Sequence, residues 1–197
     1  MPRRMVSPKF RRLCLREFSS RYQEIHLRIT LRPWPKTDCR YFGRRHSRMT
    51  CDAIEEARRS GGFLLFAYVL MPEHLHVVTD SRKESKDIHR FINGIVSRRL
   101  LDHLKTSGHS DSLRKLRIEG RSDGSQYSLW HHHPDTRLLW SEQMLWQRIQ
   151  YTHLNPVRAG LVDHPNDWRW SSARIFHKRP MEDEPLRVDL DKILWRG

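Results

Sequence analysis

FLLFAYVLMPEHLHVVT, residues 63–79, is the stretch that decides the fold. Phe63–Leu70 carries no charge and is rich in aromatic and branched side chains, the composition of a strand buried on both faces. Met71-Pro72-Glu73 forms a tight turn, because proline fixes φ and removes a backbone donor. His74–Thr79 (HLHVVT) then returns as the partner strand. Side chains alternate across a strand, so His74 and His76 share one face while Leu75 points into the core.

The flanking segments build the rest of the sheet and its helices. Gln23–Leu31 (QEIHLRITL) alternates Ile25, Leu27, Ile29 and Leu31 with polar neighbours, a half-buried strand ended by Pro33 and Pro35. Thr50–Ser60 (TCDAIEEARRS) reads as a short helix closed by Gly61-Gly62. Lys86–Thr106 places Ile88, Phe91, Ile92, Ile95, Leu100, Leu101 and Leu104 at helical spacing. Ser107–Ser125 is polar enough for a loop, Ser128–Trp130 is the predicted fourth strand, and Ser141–Leu154 is a further helix. The order β-α-β-β-α-β-α predicts an α+β fold: a ferredoxin-like antiparallel sheet with helices on one face, followed by a C-terminal helix that carries Tyr151.

A chain of 197 residues and 23.8 kDa can bury the core of one domain and would be stretched to form two. The expected division is a basic arm over 1–22, a folded domain over 23–172 and a mixed-charge tail over 173–197. Apolar residues make up 37% and mean hydropathy is −0.78, low for a globule, but seven Trp and seven Phe supply large buriable surfaces. The net charge of +14 is uneven: residues 1–50 hold fourteen Lys and Arg against three acids, so +11 sits there and only +3 in the remainder. Such asymmetry points to a polyanionic partner, and Arg, whose planar fork suits phosphate, dominates the run. Cys14, Cys39 and Cys51 are odd in number with no C-x-x-C pair, which predicts neither a disulfide framework nor a zinc ribbon and suits a reducing cytoplasm. The N-terminus is basic without the apolar stretch of a signal peptide, and the apolar run Phe63–Met71 is too short to span a bilayer.

Two sets of residues carry chemistry. His74 and His76, on one face of a strand, form a natural clamp for a divalent cation, though two surface histidines among thirteen would look the same. The run His131–His133 is a poorer metal site, since adjacent residues of extended backbone do not converge on one ion. Tyr151 and Asn155 stand four apart on one helix face. A tyrosine hydroxyl is a weak nucleophile unless assisted, and an amide oxygen one turn on could complete the coordination of the ion at His74 and His76. Taken alone, Tyr151 reads better as a helix tyrosine packed on the sheet, and Asn155-Pro156 better as an N-cap followed by proline at the first helical position. In that second reading Val157–Ala159 is a separate helical turn stopped by Gly160.

AYVLMPEHLHVVT (Ala67–Thr79), YTHLNPVRAGLV (Tyr151–Val162) and PNDWRWSS (Pro165–Ser172) resemble the signature blocks of the REP-associated tyrosine transposases, which belong to the HUH (histidine–hydrophobe–histidine) superfamily. The resemblance spans most of Gln23–Ser172, with Arg32–Thr50 departing from the family's pattern in its richness in Arg. It implies a ferredoxin-like palm that uses Mg²⁺ or Mn²⁺ to cut single-stranded DNA, one tyrosine becoming joined to the 5′-phosphate. By similarity His74 and His76 are metal ligands, Asn155 the third ligand and Tyr151 the nucleophile. The implied partner is single-stranded or hairpin DNA, in the cytoplasm and associated with the nucleoid. Monomer is the expected state and dimer the alternative. Arg3, Arg4, Arg11, Arg12, Arg16 and Arg21 are the candidate phosphate contacts, and Trp34, Tyr41 or Phe42 the candidate stacking surfaces. Two other classes fit parts of the pattern: a non-catalytic ferredoxin-like module that binds RNA or hairpin DNA, and a nonspecific metal nuclease that activates water.

The charge asymmetry makes a prediction of its own. Deleting Met1–Arg12 should weaken DNA binding and flatten its salt dependence while leaving cleavage of prebound substrate far less affected. Binding isotherms across a salt series check this, and equal slopes for the full and truncated chains would remove the case for an arm.

Overall fold

The computed structural model describes residues 22–28, 44–80, 83–118, 126–130 and 135–193. Four strands, β1 (Tyr22–Arg28), β2 (Leu65–Leu70), β3 (His74–Asp80) and β4 (Asp135–Leu139), form one antiparallel sheet in the order β2-β3-β1-β4. The helices are α1 (Arg44–Gly61), α2 (Ser85–Thr106), α3 (Ser110–Leu116), α4 (Glu142–Arg158) and the single turn α5 (Ala173–Phe176). The predicted β-α-β-β-α-β-α succession is therefore present, with α3 added before β4.

The β2–β3 hairpin forms where expected because both strands are buried almost throughout, and Met71 N–H donates to His74 C=O (2.8 Å) across the turn. Alternation along β3 splits its side chains between two cores. Leu75 and Val77 join Cys51, Ile54 and Ala57 of α1 and a regular i+4 stripe on α2, Ile88, Ile92, Val96, Leu100 and Leu104. Val78 joins a second cluster with Phe66, Ala67, Leu139 and two residues of α4, Leu145 and Ile149. So α1 and α2 cover one face of the sheet, and α4 covers the other. Cys51 is a packing residue, its thiol pushed up by burial and held protonated; Cys14 and Cys39 lie outside the described residues.

Helix α1 packs along α2, and Gly61 at its end leaves space for two rings, since a Cβ there would come within 2.9 Å of both Phe63 and Phe91. Gly62, at φ +62°, then turns the chain and its N–H closes on Arg58 C=O (2.9 Å). The helix starts six residues before the predicted Thr50. Its first turns bury polar groups, Ser47 and Thr50, with Thr50 Oγ1 donating to His46 C=O (2.8 Å), so no apolar period marks them. The first strand ends at Arg28, and Ile29–Leu31 lie outside the described residues.

The fourth strand is Asp135–Leu139, which corrects the predicted Ser128–Trp130. It is an edge strand with charged Asp135 and Arg137 exposed and only Leu139 buried, so it shows no alternation to read. The segment taken for that strand makes a different ladder. Ile118 N–H donates to Gln126 C=O and Ser128 N–H to Leu116 C=O (both 2.9 Å), with Leu129 and Trp130 buried beneath. Within the predicted loop 107–125, Ser110–Leu116 is helical.

β2 is the other edge of the sheet, and the chain seals it. Leu70 N–H donates to Trp170 C=O (2.8 Å), Ser172 N–H to Tyr68 C=O (3.1 Å) and Trp168 Nε1–H to Leu70 C=O (3.0 Å). Further along, Asp189 N–H donates to Leu65 C=O (2.7 Å), while the Asp189 carboxylate accepts from Leu65 N–H (2.9 Å) and pairs with Arg58 (2.8 Å). Residues 173–193, expected to be a tail, thus contribute Asp189 to this seal and Leu186 to the core. Ser172 joins three elements: its Oγ accepts from Tyr68 N–H (3.0 Å) and bonds His153 Nε2 of α4 at 2.8 Å. Burial pushes the His153 imidazole down to about 4, with the nearby His177 adding to the effect, so it stays neutral. No helix among the described residues is long and apolar enough to cross a membrane.

Ser172→Ala strands a buried N–H and a buried imidazole nitrogen together. Its expected cost is about 1–3 kcal/mol of stability, measured by urea denaturation; a loss within error of zero would show that the edge seal does not depend on this hydroxyl.

Candidate active site

Strand period fixes the first part of the site. His74 and His76 leave β3 on the same face as Val78, the face covered by α4, with ring centroids 5.1 Å apart. His76 is buried, and His74 Nδ1 lies 3.9 Å from Glu73 Oε1.

Helix α4 supplies the second part. Ser141 caps it, its Oγ accepting from Met144 N–H (3.2 Å), and Leu145, Ile149, Thr152 and Pro156 face the sheet. Tyr151 sits beside this buried stripe, half-exposed, with its ring centroid 5.8 Å from that of His76. Arg148 and Arg158 lie over the Tyr151 ring at 5.5 and 4.7 Å. These residues, with Gln147, Gln150 and Leu154, line an open cleft of about 350 Å³. Positions 148, 151, 155 and 158 recur at helical spacing, a signal present in the sequence but hidden by the expected helix end at Leu154.

Asn155 is not an N-cap. Helix α4 runs through Pro156 to Arg158, and no separate turn begins there. Proline brings no N–H to the carbonyl four residues back, that of Thr152. Asn155 Nδ2 compensates, donating to Tyr151 C=O (2.9 Å) and Thr152 C=O (3.3 Å). Only the NH₂ of an amide can donate to carbonyls, so Oδ1 is the amide atom left for a ligand.

The structure thus brings His74, His76 and Tyr151 together and puts Asn155 one turn further along the same helix. Arg3, Arg4, Arg11, Arg12, Arg16, Arg21, Trp34, Tyr41, Phe42 and His131–His133 lie outside the described residues. Sequence reasoning overlooked Arg148 and Arg158, and also Trp140 and Trp146, which are 50% and 43% exposed around the start of α4 and offer flat surfaces.

An antiparallel sheet with α1 and α2 on one face and α4 on the other is a fold shared with a known structure. No family model matches this chain, and no curated protein does. The structure described as a REP-associated tyrosine transposase bound to a REP hairpin matches with a TM-score of 0.57 at 16% identity, over 87% of each chain. A putative transposase from Deinococcus radiodurans R1 aligns with a TM-score of 0.41 and 14% identity, over 77% of this chain and 93% of that one. The first likeness covers nearly the whole chain and establishes the fold.

The Asn155–Pro156 pair is open to a direct test. Asn155→Ala should cost about 1 kcal/mol in the wild-type chain and clearly less beside Pro156→Ala, which returns an N–H to the helix. Denaturation of the two single variants and the double variant measures the coupling; equal losses in both backgrounds would refute the compensation.

Proposed function

We propose that this protein cuts and rejoins single-stranded or hairpin DNA by transesterification through Tyr151. One observation carries the proposal: His74, His76 and Tyr151 converge from two elements, and Tyr151 opens together with Arg148 and Arg158 onto a cleft. The fold supports it, being similar to that of a transposase bound to a REP hairpin.

The donor set fits a divalent cation. Two imidazoles stand on one face with centroids 5.1 Å apart, and the Asn155 amide keeps an oxygen available because its nitrogen is engaged by the helix. His74, His76 and Asn155 would hold Mg²⁺ or Mn²⁺, which when bound supplies charge that polarises a non-bridging phosphate oxygen.

The protein's own groups do the rest. The Tyr151 oxygen attacks phosphorus, forming a Tyr–O–P bond as the P–O3′ bond breaks. The phenol proton passes to solvent, and the departing 3′-oxygen ends as a hydroxyl. Arg148 and Arg158 place positive charge beside the nucleophile, where the phosphate's negative charge must be held. The phosphodiester energy is kept in the phosphotyrosine, so an incoming 3′-hydroxyl can reverse the step and join strands. ATP is not required. Trp140 and Trp146 offer stacking surfaces for unpaired bases, and the basic N-terminal residues offer phosphate contacts.

Tyr151→Phe should bind labelled hairpin DNA nearly normally yet form no covalent adduct on a denaturing gel. Arg158→Ala should slow adduct formation roughly 10²-fold, and His76→Ala should lose cleavage but regain part of it in excess Mn²⁺. Wild-type adduct from Tyr151→Phe would exclude the single-tyrosine mechanism. Strand cutting without any adduct would indicate attack by water, and binding without cutting by the wild-type chain would indicate a binding module.

A further inference from the structure

A second histidine cluster lies away from the Tyr151 cleft, among the helices on the opposite side of the sheet. His46 is in the first turn of α1, His103 in the last turn of α2, and His109 immediately precedes α3. One ring nitrogen from each lies within 4.8 Å of the other two. The ring centroids form a triangle with sides of 5.2, 6.1 and 6.0 Å. All three side chains are half-buried, and His46 Nε2 is buried outright.

We propose that His46, His103 and His109 form a zinc site that staples the start of α1 to the α2–α3 turn. Local structure prepares the geometry. Gly108, at φ +72°, reverses the chain after α2, and His109 N–H closes on Leu104 C=O (2.9 Å), which returns the third imidazole to the other two. Ser107 Oγ lies 3.1 Å from His103 Nδ1, the kind of outer hydrogen bond that orients a ligating histidine.

The ligand chemistry selects the ion. Three neutral imidazoles and no carboxylate suit Zn²⁺, with water in the fourth position, and do not suit the hard cations Mg²⁺ and Ca²⁺. A tetrahedral zinc with bonds of about 2.0–2.1 Å holds its nitrogens roughly 3.3 Å apart, so the site needs only small side-chain rotations to close. The proposal is independent of the Tyr151 chemistry, because it involves other residues on the other face of the sheet.

Titration with Co²⁺ and Zn²⁺ separates the two metal sites when the full chain carries His74→Ala and His76→Ala. The expected result is one equivalent of Co²⁺ with the intense visible absorption of four-coordinate cobalt, displaced by Zn²⁺ and unaffected by millimolar Mg²⁺. Zn²⁺ at a hundredfold excess over its Kd should raise Tm by roughly 5–10 °C. Adding His109→Ala, or separately His103→Gln, should abolish both responses, with far-UV circular dichroism checking that each variant folds. Failure of the background chain to bind Co²⁺ or Zn²⁺ would overturn the proposal. So would an equivalent that survives substitution of His103 and His109, since the ion would then sit on other histidines.

Discussion

The alternation of β3 is the constraint on which the rest of the structure depends. This strand is paired on both sides, so its register is held by β1 and β2 together. A slip of one residue would bring His74 and His76 under α1 and α2 and turn Leu75 and Val77 toward α4. Each apolar side chain lost from the core costs roughly 1.5–3 kcal/mol. The packing that buries Leu75 and Val77 therefore also fixes the direction of the imidazoles. Stability and site geometry rest on the same residues.

The seal on β2 extends this coupling to α4. An open edge beside the hairpin would expose the free backbone groups of β2, a template for association with other chains. Residues 168–172 and Asp189 occupy those groups instead, and Ser172 reaches His153 on α4. His153 lies two residues beyond Tyr151, so the bond that closes the sheet also holds the helix segment carrying the tyrosine. This gives a physical meaning to PNDWRWSS, whose Trp168, Trp170 and Ser172 act through backbone and side-chain hydrogen bonds to β2.

Much of this was legible in the sequence, for reasons specific to each element. The hairpin was readable because both strands are uniformly buried and the turn contains Pro72. Helix α2 was readable because its buried residues keep a strict helical interval. The face shared by His74 and His76 follows from strand period alone, while their approach to Tyr151 depends on α4 crossing that face, which no local pattern contains. β4 was misplaced because an edge strand with one buried residue carries no alternation, whereas Leu129 and Trp130, buried under another ladder, imitate a strand. The early turns of α1 were lost because the side chains they bury, Ser47 and Thr50, are polar. The histidine triad was invisible because its members come from three elements separated by 57 and 6 positions.

Helix α4 shows how one local exception sets the geometry of the cleft. A proline ordinarily ends a helix at the residue before it, which would place the last turn at Leu154 and scatter whatever follows. Here Asn155 supplies a donor to the carbonyl that Pro156 leaves unpaired, and the helix continues to Arg158. That continuation keeps Arg158 on the stripe of Arg148, Tyr151 and Asn155, with its guanidinium 4.7 Å from the tyrosine ring centroid. The amide used this way also has its orientation fixed, nitrogen toward the helix and oxygen left for a ligand. A cap and a ligand would have competed for the same oxygen, but a helix-spanning donor and a ligand use opposite ends of the amide. Asn-Pro at this position therefore serves both the continuity of the helix and the proposed chemistry of the cleft.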